Sequence, residues 1–490
     1  MPAPLPRTLI LGFDGGDPTV FRSFDMPFLE SLCSRGRSVD MCEDLLTRGW
    51  SEIVTGRTAE DTAGLYFRPA KGGGSARFHH SYSLREMLAN PDVKAIWTLL
   101  NERGVRFGLM GVPTTSPAPE IDGFAIAGGG GGINKISGVP EGFCHPKALA
   151  RLLDEAGYEF DVRVSTMAET SLTAFIERVE AVIASNVRAL QAVARETPTE
   201  ATFVCLRPTT GLQYLARHDI ALAAKARDRG EPLIGTAARL AEHYRFLDDQ
   251  IREIFEIVAP DHFILVADHG TAPYRKQVNL NAFLTAQGYQ TPRRRSTSLV
   301  KSGLRALKRK LPRALTSRYG KTLRQRLPGM ALNFDPSRTR AFGHNHVPGL
   351  YINDAERFGG PVNADEVTPL VNELCAALNT DPTLMAEGFM AHPFRRQHEG
   401  SFAERELPDI ALSGPDTHFF VGTGPLIRDN PNDRATPQDL RFVHNPFSGI
   451  KGRNPILTMD NATGALVQEA DARNMTLAYK LVDRIYAEAA

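Results

Sequence analysis

Three short apolar runs end in residues able to hold a cation. Asp14-Gly15-Gly16-Asp17 follows Thr8–Phe13 directly, Asp268-His269-Gly270 follows His262–Ala267, and Thr209-Thr210-Gly211 comes just after Ala201–Leu206. In an open parallel sheet, ligands lie beyond the carboxyl ends of the strands. Asp14, Asp268 and His269 together make a suitable set of hard and borderline donors for one divalent cation. A strand-end aspartate also serves to cap the next helix. That reading is taken for Asp17 alone, and metal ligation for Asp14, Asp268 and His269 as a set.

A nucleophile is sought in residues 45–56 (LLTRGWSEIVTG), a turn running into a helix that ends near Gly56. Thr47 falls at the start of that helix, where unpaired N–H groups and the dipole favour an alkoxide or a phosphate oxygen. A plain N-cap accounts for the same spacing.

These residues need a scaffold. Short apolar runs alternate with segments of helical period, the pattern of an α/β protein with a mostly parallel central sheet flanked by helices. Strands are expected at Thr8–Phe13, Arg106–Val112, Ala201–Leu206, His262–Ala267 and Gly349–Ile352. Leu240, Tyr244, Leu247, Ile251, Ile254 and Val258 mark one amphipathic helix, and Phe175, Val179, Val182, Leu190 and Val193 another, closed by Pro198. Glycine-rich loops stand at Gly128–Gly132 and Lys71–Ser75. The expected division is a discontinuous catalytic core over 1–290 and 339–460, a basic helical insert or cap over 291–338, and a C-terminal helical segment over 461–490.

The chain has 490 residues, 42% apolar and 23% charged, as in ordinary globular proteins. No apolar run approaches the roughly 18–20 residues that span a bilayer. The formal charge is +1, which gives no whole-chain case for a stable nucleic-acid complex. That near-neutrality conceals two unlike parts, because Arg293 to Arg326 hold thirteen Lys or Arg and no acid. Outside that segment, 44 basic residues face 56 acids. The insert reads as a solvated helical hairpin, or else as a cap that draws in an anionic substrate or touches a membrane surface peripherally. Five dispersed cysteines with no C-x-x-C pair argue against a disulfide framework or a zinc ribbon. With no signal-peptide pattern at the start, the expected location is the cytoplasm.

The chain resembles the type I phosphodiesterase/nucleotide pyrophosphatase family of the alkaline phosphatase superfamily. The likeness rests on Leu9–Asp17 (LILGFDGGD), Trp50–Gly56 (WSEIVTG), Gly111–Pro117 (GVPTTSP), Tyr244–Asp249 (YRFLDD) and Phe263–Gly270 (FILVADHG). It continues through Val278–Asn281, Gly349–Asn353 (GLYIN) and Pro408-Asp409. The resemblance implies an alkaline-phosphatase-like fold in which Asp14, Thr47, Asp268 and His269 surround one metal. Thr47 would attack phosphorus to form a phospho-threonine that water then resolves. The implied cofactor is a divalent metal, zinc by preference, with manganese or calcium as alternatives at a single-metal site. The implied substrate is a small anionic phosphate ester or analogue.

The chain also departs from the family. The second metal of the family uses an Asp, a His four residues later and a His near the C-terminus. The aligned positions here are Thr210 and Tyr214, with His444 as a weak counterpart of the third ligand, His344 and His346 as rivals, and His218 with Asp219 one turn further on. Thr47 also stands three residues before Trp50, where the family has four, so Ser51 is the fallback nucleophile. The second site is therefore expected to be lost or rebuilt. Arg48 and Arg207 are candidates for the missing positive charge, because a guanidinium fork suits phosphate or sulfate oxygens. Arg68, His79 and His80 are candidates to line the pocket. The leading expectation is a metal-dependent phosphodiesterase or related phosphoryl hydrolase. The alternatives are a sulfatase- or phosphonate-type hydrolase or transferase, and a catalytically silent anion-binding relative.

Overall fold

The computed structural model describes residues 4–69, 78–80, 82–128, 142–161, 171–292, 334–440 and 446–488. Almost all of the basic insert therefore lies outside the described residues, as do His444 and most of the two glycine-rich loops. The strands used below are β1 (Thr8–Phe13), β2 (Gly36–Ser38), β3 (Phe107–Met110), β4 (Gly123–Ile126), β5 (Cys144–His145), β6 (Ala201–Leu206), β7 (His262–Ala267), β8 (Gly270–Pro273), β9 (Gly449–Gly452) and β10 (Leu457–Asp460). The helices are α1 (Gly49–Thr55), α2 (Leu172–Glu196), α3 (Thr209–Arg229), α4 (Gly235–Val258) and α5 (Thr476–Glu488).

Eight strands form the central sheet in the order β2-β10-β7-β1-β6-β3-β4-β5. The five inner strands β7, β1, β6, β3 and β4 are parallel to one another, and β10 and β5 add antiparallel partners at their outer sides. All six residues of β1 and of β6 are buried, which is why they read as unbroken apolar runs. The pleat sorts them between two cores. Leu9, Leu11, Phe13, Val204, Leu206, Leu265 and Ala267 join the core covered by α2 and α4. Ile10, Phe203, Cys205, Ile264 and Val266 join the opposite one, with Trp50 of α1 and Leu481, Val482 and Ile485 of α5. The C-terminal helix thus packs into the same core as the helix that follows Thr47.

Local signals bound α2, and Pro198 closes it as expected. Ser171 Oγ accepts from Ala174 N at 3.1 Å to open α2, and Pro198 follows its end. Gly349–Ile352 is a strand, but it belongs to a separate four-stranded antiparallel sheet with Ala341–Gly343, Ile410–Ser413 and Met390–Pro393. Asp409 braces that sheet, accepting from Ile352 N and Arg395 Nε at 2.7 Å each and pairing with Arg357. Among the described residues, no helix is long and apolar enough to cross a membrane.

Candidate metal centre

Strand register assembles the site. Phe13 pairs with Ala267 on one side and with Leu206 on the other, so Asp14 emerges beside Asp268 at the carboxyl edge of the sheet. One donor atom from each of Asp14, Asp268 and His269 lies within 4.8 Å of the others. His269 Nε2 is 3.8 Å from Asp14 Oδ1 and 3.6 Å from Asp268 Oδ2. His269 Nδ1 lies 2.7 Å from the Gly270 carbonyl, which accepts its proton and leaves the Nε2 lone pair facing the carboxylates. Asp268 accepts from Gly15 N at 3.3 Å and from the Tyr66 hydroxyl at 3.2 Å.

The electrostatics follow from burial. Desolvation and then the neighbouring Asp268 push the Asp14 carboxyl up, and desolvation does the same to Asp268. Burial, reinforced by the nearby Lys451 ammonium, pushes the His269 imidazole down to about 3. Two carboxylates and an imidazole lone pair turned on one another in a dry place are costly unless a cation lies between them. This donor set fits one divalent ion, zinc foremost.

Thr47 sits in a turn built by Asp44. The Asp44 carboxylate accepts from Leu46 N at 2.7 Å, Thr47 N at 2.9 Å and Thr47 Oγ1 at 3.0 Å. Helix α1 begins at Gly49 with Arg48 at the N-cap, so Thr47 stands just outside the helix rather than capping it. A Cβ on Gly49 would run into the Asp268 carbonyl oxygen and lie 2.7 Å from the Asp268 Cα. Only glycine lets the start of α1 rest on the strand tip that carries Asp268. A bridge between Thr47 and Leu65 brings Tyr66 to the same place. Ser51 is fully buried, 3.4 Å from Thr62 Oγ1.

Thr210 and Tyr214 also reach the site. Gly15 has φ +74°, and a Cβ there would fall on Thr210 Oγ1, a buried hydroxyl with no hydrogen-bond partner among the described residues. The Tyr214 hydroxyl lies 3.4 Å from His269 Nε2. Helix α3 then kinks at Ala216, and His218 beyond the kink gives its N–H to Ser448 Oγ at 3.1 Å. His344 and His346 stack on Phe78 and Phe67 with ring centroids 4.2 and 4.8 Å apart, and burial pushes both imidazoles down to about 4. Asp17 caps Pro18–Phe21, accepting from Thr19 N at 2.7 Å, as the capping reading expects.

The arginines expected near the site bond to the scaffold around it, while the charge of Arg207 still bears on Asp14 and that of Arg48 interacts with Asp268. Arg48 donates to the carbonyls of Leu65 at 2.9 Å and Tyr66 at 3.1 Å, and to that of His80. Arg207 lies 3.3 Å from Asp161 and donates to the Gly128 carbonyl. Arg68 pairs with Glu86 and, at 3.2 Å, with Glu406. Lys451 of β9 lies opposite Thr271 of β8, with Nζ 3.5 Å from the centroid of the Tyr66 ring, and its charge bears on Asp14, Asp268 and His269. Neither Lys451 nor Tyr66 carries a local sequence signal. Asp44 is of a type that accepts from its own backbone two residues on, the Asx turn it makes with Leu46 N.

This mostly parallel sheet flanked by helices, with Asp14, Asp268 and His269 gathered at its carboxyl edge, defines an alkaline-phosphatase-like α/β protein. More narrowly, the chain belongs to the type I phosphodiesterase/nucleotide pyrophosphatase family, whose model matches residues 8–352. Phosphonoacetate hydrolase from Sinorhizobium meliloti 1021, solved with phosphonoformate, is 11% identical with a TM-score of 0.55, covering 99% of this chain and 97% of that one. The same enzyme with phosphonoacetate is 12% identical, with TM-score and coverage unchanged at 0.55, 99% and 97%. Murine ectonucleotide pyrophosphatase/phosphodiesterase 5 in complex with AMP is 11% identical with a TM-score of 0.48, covering 98% and 95%. No curated protein matches the chain significantly.

Proposed function

We propose that the protein is a metal-dependent hydrolase of small phosphodiester or phosphonate anions. Thr47 is the nucleophile, and one divalent cation is held by Asp14, Asp268 and His269. The observation that carries this reading is the convergence of two buried carboxylates and an imidazole nitrogen within 4.8 Å, at a strand tip against which Gly49, two residues after Thr47, is packed. Family membership supports hydrolysis of phosphoryl groups.

When bound, the cation would neutralise charge on a phosphoryl oxygen and favour the alkoxide of Thr47. The chain's own residues do the rest. The Gly270 carbonyl fixes the ring of His269, and Gly15 N–H and the Tyr66 hydroxyl fix Asp268. Asp44 Oδ2, 3.0 Å from Thr47 Oγ1, takes the hydroxyl proton as the new O–P bond forms and the leaving group departs with its electron pair. Water then attacks the phospho-threonine, the Oγ1–P bond breaks, and Thr47 recovers a proton.

Elemental analysis of the purified protein, with turnover of an aryl phosphodiester, tests this. About one equivalent of metal is expected, with activity lost on chelation. Thr47→Ala should lose about 10³-fold or more in kcat while keeping its metal. Full activity in Thr47→Ala removes the nucleophile assignment. Turnover of an aryl sulfate in place of the phosphodiester replaces the substrate class with a sulfatase-type one.

A further inference from the structure

We infer that Glu43 and Glu52 form a buried acid pair that keeps a proton between them at neutral pH, and that release of this proton makes the neighbouring metal site repel anions. The inference rests on the reading above and adds a control on how that site receives its anion.

The two side chains bracket the nucleophile. Glu43 precedes Asp44, whose carboxylate holds Thr47, and Glu52 lies in the first turn of α1. Each is only 3% exposed. Glu43 N donates to the Arg453 carbonyl at 2.9 Å, and Arg453 Nη1 donates to the Glu43 carbonyl at 3.0 Å, so that guanidinium meets the backbone of Glu43. Glu43 Oε1 and Glu52 Oε2 are buried with no hydrogen-bond partner among the described residues. Two bare carboxylates so placed would be costly, because a buried charge needs donors. A proton held by the pair supplies the missing donor, since a protonated carboxyl carries an O–H. Neighbouring carboxyls in a dry place do not both ionise at the usual pH.

The surroundings act in the same direction. Around the pair stand Asp44 in the turn, Asp268 at the tip of β7, Glu60 of the short helix Ala59–Thr62, Lys451 of β9 and the Met475 N–H just ahead of α5. Burial first, then Asp44 and Asp268, push the Glu43 carboxyl up to about 8. Burial first, then Glu43 and the other acids, push Glu52 well above the usual carboxylate range. The Met475 N–H opposes both shifts and Lys451 that of Glu43, each more weakly than the acids that raise them. Asp14, Asp44 and Asp268 already gather three carboxyls about Thr47 and the ligand tip. While the pair keeps its proton, it adds little to their negative field. Once ionised, it adds a charge that bears on Asp268, and hence on an anion at a cation held there.

Glu43→Gln and the double variant Glu43→Gln/Glu52→Gln, as zinc-loaded full chains, test the inference against wild type. An amide keeps the shape and a donor of the protonated acid but cannot ionise. The infrared difference spectrum between wild type and the double variant at neutral pH should show the carbonyl band of a protonated carboxyl. Sulfate, whose charge is constant over the range, reports anion affinity by titration calorimetry. From pH ~7 to ~9 its affinity for wild type should fall roughly 10-fold further than for the double variant, the effect of a unit charge on the order of 10 Å away at an effective dielectric of ~20. Absence of the carboxyl band overturns the inference. So does a parallel fall in wild type and variant, which would make the pair a structural group alone, or a failure of sulfate to bind at neutral pH. Should the double variant not fold, Glu43→Gln carries both measurements. Neither readout needs turnover. If Thr47→Ala stays fully active while the band and the sulfate difference are present, the nucleophile assignment falls and the acid pair stands.

Discussion

Asp14→Asn should act in opposite directions on the metal-free and metal-loaded protein. The Asp14 donor oxygen lies within 4.8 Å of those of Asp268 and His269. Two unit negative charges at that separation repel by about 3–4 kcal/mol at an effective dielectric of ~20. Lys451, whose charge bears on both carboxylates, offsets part of this. The amide is nearly isosteric, removes one charge, and has an N–H to offer the His269 Nε2 lone pair. With chelator at pH 8, the variant should therefore be more stable than wild type by about 1–2 kcal/mol. An unfolding entropy of about 2.1 cal/mol/K per residue makes each kcal/mol worth ~1 °C in a chain of 490 residues. The expected rise is about 1–2 °C.

With zinc the order should reverse. A site at 100 times its Kd adds about 2.7 kcal/mol to the folded state, so wild type gains roughly 2–3 °C. The variant has exchanged an anionic ligand for a neutral one. It should lose more affinity than the roughly 10–100-fold that removal of an outer-shell partner costs. Differential scanning calorimetry of both proteins, in chelator and in excess zinc, reads the crossing. A variant that melts below wild type in chelator would show that the carboxylate is a satisfied structural group. Equal gains from zinc would show that Asp14 is not a ligand.

Two further outcomes follow from the packing around the site. Gly49→Ala places a methyl group against the Asp268 backbone, which cannot yield as a side chain end can. It should destabilise by about 1–3 kcal/mol or more and lower zinc content, measured by calorimetry and elemental analysis; a variant with wild-type melting and metal would refute the close approach. Asp471, which accepts from Arg484 at 2.6 and 2.8 Å and from Gln468 N at 2.8 Å, is held down to about 2 by Arg484. A depressed carboxyl contributes stability that is present above its unfolded pKa and lost as pH falls through the folded one. Wild type should therefore exceed Asp471→Asn by about 1–2 kcal/mol at pH 6, and the gap should narrow as pH drops from about 4 towards 2, as followed by denaturant unfolding. A gap that does not change with pH would remove Arg484 as its cause.

Much of this protein is readable along the chain because the relevant physics is local. Strands β1 and β6 are buried on both faces, so they appear as unbroken apolar runs with the expected bounds. Their polar tips mark the carboxyl edge where ligands collect. Asp17 differs from Asp14 because a helix begins immediately after it, and the neighbouring Thr19 N–H needs an acceptor. The pairing of Asp268 with His269 is legible because the two are adjacent.

What the chain could not show is who faces whom. Gly15 meets Asp268 across 253 residues, through a parallel register that no local pattern encodes. The same apolar alternation that predicts Gly349–Ile352 as a strand does not say which sheet takes it. Arg48, with Arg207 a candidate for the missing cation, is turned by tertiary packing towards backbone carbonyls. Lys451, unremarkable in Ser-Gly-Ile-Lys-Gly, is carried to the ligands by pairing of β9 with β8. Residue type and burial period determine the donors and the strands that bear them. Tertiary structure decides which charges stand beside them, because Coulomb energy depends on distance in space and not along the chain.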